Sequence, residues 1–264
     1  MITIFDLDSS YPDGKSLSPY ACRVRIALNY KNLPHKSTFL SPLALEAESK
    51  AHNIPANDTE LKPDGTPGKY TIPAIHDPTT GRIITDSLSI IAYLDQTYPD
   101  THQFTSPDLG RVAGFAVEDL VLSQIVPHLW PVVTSRVLGY MTEEFVQAFK
   151  PTYEAGIGMS LEEFLANSEH AEKYWTSAKA GLDALERFFE KSERVAGERG
   201  EGPLGPWIGG SRFGYADVVL GGVLLWVSRA MGEESEEWKG LREWNGGRWG
   251  RFFDALRPYT VIHL

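Results

Sequence analysis

The sequence predicts two domains of different class: an α/β domain with a mixed sheet over residues 1–100, and an all-helical domain over residues 108–264. Three observations carry this expectation. The first hundred residues alternate short β-like runs with helical periodicity in the order βαβ, a further helix, then ββα. A stretch from Pro99 to Pro107, rich in short polar residues, breaks both periodicities and reads as a linker. Beyond it, apolar residues recur at three- and four-residue spacing. The length of 264 residues also exceeds the usual single domain.

Residues 2–7 read as the opening strand, and 19–31 as a helix with Ala21, Val24 and Leu28 on one face. A second strand is predicted over His35–Leu40 and a short helix over 43–51, followed by a polar, Pro/Gly-containing segment from Ile54 to Lys69. Two closely spaced strands, Thr71–His76 and Arg82–Thr85, flank the turn Asp77–Gly81. Leu88, Ile91, Leu94 and Tyr98 then mark a helix from Ser87 to Tyr98. In the second domain, residues 109–139 are helical in pattern, and Ser160-Leu-Glu-Glu163 has the form of a capping box. Tyr174, Ala178, Leu182, Leu185 and Phe189 trace one apolar face; Glu190–Gly205 reads as a charged, glycine-rich loop. Tyr215–Met231 is apolar almost all round and is predicted to be a buried central helix.

Composition narrows the function classes. The 25 Lys+Arg against 35 Asp+Glu give a net charge of −10, which repels polyanions, so nucleic acid is not expected as a partner. The longest apolar stretch, Val218–Val227, falls short of the ~20 residues a membrane helix needs, so no membrane association is expected. Met1-Ile-Thr-Ile-Phe reads as a strand rather than a secretory signal, and a single cysteine, Cys22, suits a reducing compartment; a cytoplasmic protein is expected. The seven histidines show no i, i+4 pair, so no metal site is expected. The Gly197–Gly210 segment lacks the Lys-Ser/Thr ending of a phosphate loop.

Three short motifs carry the chemistry. In Leu17-Ser-Pro-Tyr-Ala-Cys22, Ser18 falls at a helix N-cap and Pro19 in the first turn. Capping alone explains such a serine, yet a hydroxyl at a positive helix end can also donate to a thiolate. In Tyr70-Thr-Ile-Pro-Ala-Ile75 a proline interrupts a strand; it marks an edge or a cis turn, and a cis bond would expose the backbone of Ile72 to an extended peptide. In Thr85-Asp-Ser-Leu-Ser, Asp86 and Ser87 open an amphipathic helix, suited to the ammonium and carboxylate of an α-amino acid head group. In this order they outline a site for a short peptide bearing a thiol.

These segments resemble the glutathione transferase family. The run Ser18–Leu28 is similar to the first-helix motif of its serine-type and omega-type classes, Ile72-Pro73 to its cis-proline strand, and Asp86-Ser87 with Ile90-Ile-Ala-Tyr-Leu-Asp95 to its glutamyl-binding motif. Gly205-Pro-Trp-Ile-Gly-Gly through Tyr215-Ala-Asp217 resembles the conserved loop and N-capped helix of its second domain. Within the family, the closest likeness is to the bacterial β-etherase-like group and its fungal relatives. The resemblance implies a thioredoxin-like first domain binding glutathione as co-substrate, with Ser18 as thiolate stabiliser and Ile72, Pro73, Asp86 and Ser87 as the cradle. It implies a hydrophobic, aromatic electrophile as partner, homodimerisation, and conjugation or β-ether cleavage as the reaction. A ligandin-type protein that sequesters hydrophobic or polyphenolic compounds is the alternative, and a regulatory module with a vestigial site a third.

Tyr11, Tyr20, Phe115 and Trp130 are the candidate walls of the electrophile pocket. The basic residue for the glycine carboxylate is left open among Lys50, His52, Lys62 and Lys69. Two positions depart from the family pattern: Gly214 stands where a capping Ser/Thr is usual, and Asp86 where Glu is commoner. Cys22, one turn past Ser18, reads as a buried hydrophobe, with a mixed disulfide to glutathione as the competing role.

Overall fold

In a computed structural model the chain is described over residues 1–11, 16–62, 64–105, 109–202 and 204–264. It divides into two compact units, Met1–Thr105 with Arg257–Leu264, and Ser106–Leu256. The end of the predicted linker and the start of the predicted helical domain, residues 106–108, lie outside the described residues. The last eight residues, which the sequence reading placed in the helical domain, pack with the first unit. Their carbonyls find donors there: Asn29 Nδ2 donates to the oxygens of Tyr259 (2.8 Å) and Val261 (2.9 Å), and the Ser37 amide to that of His263 (2.7 Å).

The first unit runs β1 (Ile2–Leu7), α1 (Pro19–Tyr30), β2 (His35–Leu40), α2 (Leu45–Ala51), β3 (Asn57–Leu61), β4 (Pro67–Lys69), β5 (Ala74–Asp77), β6 (Arg82–Thr85) and α3 (Ser87–Thr97). Four strands form one mixed sheet in the order β2-β1-β5-β6. β1 and β2 are parallel, as a helical crossover requires, whereas β5 and β6 are antiparallel to their neighbours and need only the tight turn at residues 78–81. Strand alternation separates two apolar layers. Ile2, Ile4 and Ile75 pack with Val24 and Leu28 of α1 and Ile90 and Leu94 of α3, while Phe5, Leu40 and Ala74 pack with Ile54 and Leu45.

The polar, Pro/Gly-containing segment before β5, to which the sequence assigns no element, contains a small antiparallel hairpin, β3–β4. Its strands are almost wholly exposed, so the sequence shows no period-two signal. Asn57 anchors its base: Oδ1 accepts from the Thr59 amide (3.1 Å) and hydroxyl (2.7 Å), and Nδ2 donates to Thr71 Oγ1 (3.3 Å). The strand predicted from Thr71 begins instead at Ala74, directly after Pro73, which has no amide to give the ladder.

The second unit is helical: α4 (Leu109–Leu120), a π turn (Val121–Ile125), α5 (Val126–Leu138), α6 (Glu143–Ile157), α7 (Leu161–Ala166), α8 (Ser168–Glu198), α9 (Tyr215–Met231) and α10 (Glu236–Leu256), the last interrupted at residues 244–247. α9 is buried along nearly its whole length, as predicted. Ser160 caps α7 by accepting from the Glu163 amide (3.1 Å). α8 continues through Glu198, so the charged residues from Glu190, predicted as loop, are helical. Of these charges, Glu193 is partnered across helices by Arg248 (2.8 Å), which also pairs with Glu186 and lies over the Phe189 ring, while Arg194 meets Glu198 within α8 (3.8 Å).

By length and composition alone the continuous run Gly110–Leu138 is apolar enough to cross a membrane, which the sequence reading did not anticipate because Arg111, Glu118 and Asp119 interrupt its apolar residues. One face of its middle, Val121, Ile125 and Leu129, is buried. At the π turn, the Gln124 carbonyl approaches Gly181 of α8 so closely that a Cβ at Gly181 would lie 2.4 Å from that oxygen and 2.8 Å from Ile125 Cγ1. Gly→Ala in a helix interior ordinarily gains ~1 kcal/mol, but backbone overlap of this size outweighs it. Gly181→Ala is therefore predicted to destabilise the protein by ~1–3 kcal/mol, whereas Gly240→Ala, with nothing within 4 Å of its would-be Cβ, gains ~0.5–1 kcal/mol; urea unfolding distinguishes the two signs.

Candidate functional site

The strand register brings the three motifs to one end of the sheet. Phe5 of β1 lies opposite Ala74 of β5, and Ala74 opposite Thr85 of β6. The end of β1, the start of β5 and the end of β6 are thus neighbours, and Pro73 and Asp86 lie one residue beyond the paired Ala74 and Thr85. A crossover helix begins at the C-terminal end of its first strand, so α1 opens at this same end, and α1 packs on α3.

Each position has a local cause. Ser18 is extended (φ −98°, ψ 123°) and its Oγ accepts from the Ala21 amide at 3.3 Å, with Pro19 supplying the first turn. A hydroxyl that accepts one bond still has its own proton to donate. The Ile72-Pro73 bond is cis, and Ile72 lies outside the ladder. Asp86 sits at φ 67°, ψ 126°, a left-handed conformation costly for a side-chain-bearing residue, and caps α3 with Oδ2 accepting from the Ser89 amide (2.8 Å). Ser87, the first residue of α3, is buried.

Buried charge holds the elements that carry these residues. Arg25 of α1 is fully buried, pairing with Asp6 of β1 (3.1 Å) and donating to Ser37 of β2 (2.8 Å). Lys31, the C-cap of α1, meets Asp95 of α3 at 2.8 Å and donates to the His102 carbonyl and Thr101. Burial pushes the Asp95 carboxyl up, but Lys31 and the amide and hydroxyl of Thr105 outweigh it and hold the group below the ordinary carboxylate range. At the other side of α3, the buried Asp77 accepts from the hydroxyls of Tyr93 and Tyr98, both at 2.7 Å. None of these positioning residues stood out in the sequence; Asp95 was visible only as the last residue of Tyr-Leu-Asp.

The remaining candidates are placed as follows. Cys22 is fully buried beside Ser16 Oγ (3.6 Å), which fits the packing role and removes the access a mixed disulfide needs. Tyr11 is half-buried; Tyr20 is 41% exposed with the Arg23 guanidinium over its ring. In the second unit, Phe115 is 38% exposed and meets Tyr215 edge-on, while Trp130 packs on Tyr153 and on Gly156, which has no Cβ to obstruct it. Of the basic candidates, Lys50 is tied to Glu46 (2.6 Å) and His52 packs against Phe5. Lys62 and Lys69 line a cavity of about 430 Å³ with Tyr70, Leu43 and Leu45. Among the described residues no group of three or more His, Cys, Asp or Glu could hold a metal ion.

A thioredoxin-like α/β unit with these three motifs at one sheet end, and a second unit built of helices, define the glutathione-transferase class of fold. The comparisons agree. Residues 14–102 match the family model described as glutathione S-transferase, N-terminal domain, and residues 115–259 that described as glutathione S-transferase, C-terminal domain. The chain belongs to the glutathione S-transferase family. It is 26% identical to the glutathione S-transferase-like protein ustS of Aspergillus flavus, over 95% of this chain and 88% of that one. Among solved structures it resembles glutathione transferase GSTFuA3 of Phanerochaete chrysosporium (TM-score 0.87, 28% identity, covering 100% of this chain and 98% of that). It also resembles a glutathione S-transferase of Ceriporiopsis subvermispora in complex with glutathione (TM-score 0.83, 29% identity, covering 99% and 98%).

Removing one partner of a buried ion pair strands the other. Lys31→Met is predicted to lower stability by ~3–5 kcal/mol, read by chemical denaturation. Because the Asp95 carboxyl is depressed, its contribution is complete above the ordinary carboxylate value of about 4 and is lost as pH falls through the depressed value. The wild type should thus lose more stability than Asp95→Asn as the pH drops below about 4.

Proposed function

We propose that this protein is a glutathione transferase that binds glutathione at the Ser18, Ile72-Pro73, Asp86-Ser87 end of its first unit and presents the sulfur as a thiolate to a hydrophobic, aromatic electrophile. The observation that carries the reading is the meeting, through strand register, of a helix-capping hydroxyl, a strand-entry backbone outside the ladder, and an acidic-Ser helix start. A relative of known structure, similar over nearly its whole length, is a complex with glutathione.

In this reading the backbone of Ile72 pairs with the cysteinyl residue as an added strand. The amino end of α3 and Ser87 receive the γ-glutamyl carboxylate, and Asp86 the ammonium. A cysteine-like thiol with pKa about 8.5 is only ~3% thiolate at neutral pH. Lowering it by about two units needs roughly 2.7 kcal/mol of differential stabilisation, which one charge-assisted hydrogen bond from Ser18 and the amino end of α1 supply between them. Ser18 is then neither base nor covalent nucleophile. Lys62 and Lys69 are the basic residues best placed for the glycine carboxylate, since Lys50 already holds Glu46.

The electrophile fixes whether the outcome is conjugation or β-ether cleavage, and the motif likeness to the etherase-like group favours an aryl ether or a related aromatic acceptor. Tyr11 and Tyr20 in the first unit are assigned to the acceptor. A cytoplasmic homodimer completes the proposal.

Ser18→Ala should reduce kcat/KM for a standard aromatic electrophile by ~10–100-fold, with the KM for glutathione little changed, because the lost interaction acts on the thiolate. Full activity in this variant removes Ser18 from the mechanism. Asp86→Gly should leave stability within about 1 kcal/mol of wild type, since relief of the positive φ offsets the lost α3 cap, yet weaken glutathione binding by ~10-fold or more in a calorimetric titration.

A further inference from the structure

The C-terminal segment of the first unit carries a histidine that no part of the proposed catalysis uses. Residues 257–259 form a short helical turn against α1, with the Tyr259 ring tilted at 50° to that of Tyr30, centroids 4.5 Å apart. The chain then runs along β2, an edge strand of the sheet, where the Ser37 amide donates to the His263 carbonyl. Asn29, near the end of α1, clamps this segment: Nδ2 donates to two of its carbonyls, and Oδ1 accepts from His263 Nε2 (3.1 Å). The His263 ring meets the His35 ring of β2 edge-on at 4.8 Å.

His35 is 5% exposed. Its Nδ1 donates to the Leu33 carbonyl (2.9 Å), and its Nε2 is buried without a hydrogen-bond partner. That arrangement satisfies a neutral imidazole only, because a proton on Nε2 would be a buried donor with nowhere to go. The charged neighbours that act on the ring are the Arg25 guanidinium of α1 and His263 itself, and the Asp6 carboxylate of β1 is already paired with Arg25. Met1, Asn29, Asn32, Leu33 and Pro34 line the cavity of about 370 Å³ beside the pair and add no carboxylate.

We propose that residues 257–264 form a strap over the β2 edge and the end of α1, and that protonation of His35 beneath the His263 ring releases it, making the strap an acid-sensitive latch on the helix whose other end is Ser18. The direction follows from linkage. Burial, and then the two positive neighbours, hold the His35 imidazole below its ordinary value against the bond to Leu33, so the docked state prefers the neutral ring. Docking is complete above about 6.5 and weakens as pH falls from there through the lowered value. Release opens the His35 ring to water, where a proton costs neither repulsion nor an orphaned donor.

Hydrogen exchange of the full chain, corrected for intrinsic rates and compared at pH about 7.5 and about 5.5, reads this directly. The expected result is a loss of protection of up to ~10-fold at the Ser37 amide and over residues 260–264, with β1 amides unchanged. His35→Phe keeps a ring against His263 but removes the titrating group, and should stay docked at both values. Unchanged protection of the wild-type strap at the lower pH overturns the proposal. So does an equal acid response in His35→Phe, or a loss of protection spread uniformly over β1.

Discussion

The first unit depends on one constraint: α1 is buried with its cations. Arg23, Arg25 and Lys31 are each at most 4% exposed, on a helix whose apolar face also fills the core. A buried cation without a partner costs several kcal/mol, so the helix can dock only where Asp6 meets Arg25 and Asp95 meets Lys31. Apolar packing alone tolerates small slides along a sheet, whereas two ion pairs and their hydrogen bonds do not. The consequence at the far end of the helix is a fixed Ser18. Lys31 also reaches Thr101 and His102, and Asp95 the amides of Phe104 and Thr105, so the same pair orders the chain after α3.

Strain is stored nearby. Asp86 keeps a positive φ although glycine would adopt it more cheaply, and the α3 core residues Ile90, Ile91 and Leu94 with the Asp77–tyrosine bonds hold it there. A carboxylate at that position is what a site for an amino-acid head group requires. In the second unit the missing capping hydroxyl at Gly214 has a structural answer: the buried Asp217 carboxylate accepts from the Gly214 amide (2.8 Å) and the Ile208 amide (2.7 Å), stitching the preceding loop to α9. Burial pushes this carboxyl up to about 7 against those two donors.

Much of the fold was legible in the sequence because the signals were local. The alternation of Ile2 and Ile4, the Ser18-Pro19 start of α1, and the all-round apolar α9 each needed fewer than twenty neighbouring residues to be read. The three site motifs were legible for the same reason, and their order suggested convergence before the register of β1, β5 and β6 gave it a geometry. What escaped was non-local or unpatterned. Arg25–Asp6 and Lys31–Asp95 join residues far apart in sequence, and a charged residue in a helix reads as surface. The β3–β4 hairpin lacks a buried face, and the charged end of α8 looked like a loop because its partner Arg248 lies on another helix. The docking of residues 257–264 on the first unit rests on backbone carbonyls, which leave no mark in a sequence.

The central claim is that the motif-bearing end of the first unit takes up glutathione and ionises its sulfur. Calorimetric titration near neutral pH, repeated in buffers of different ionisation enthalpy, counts the protons released on binding. The account predicts saturable binding with about 0.7 proton more released at pH about 7 for glutathione than for its S-methyl derivative, as a thiol shifted from about 8.5 to about 6.5 requires. Saturable binding with no difference in proton release between the two ligands, or no binding of either, would contradict it.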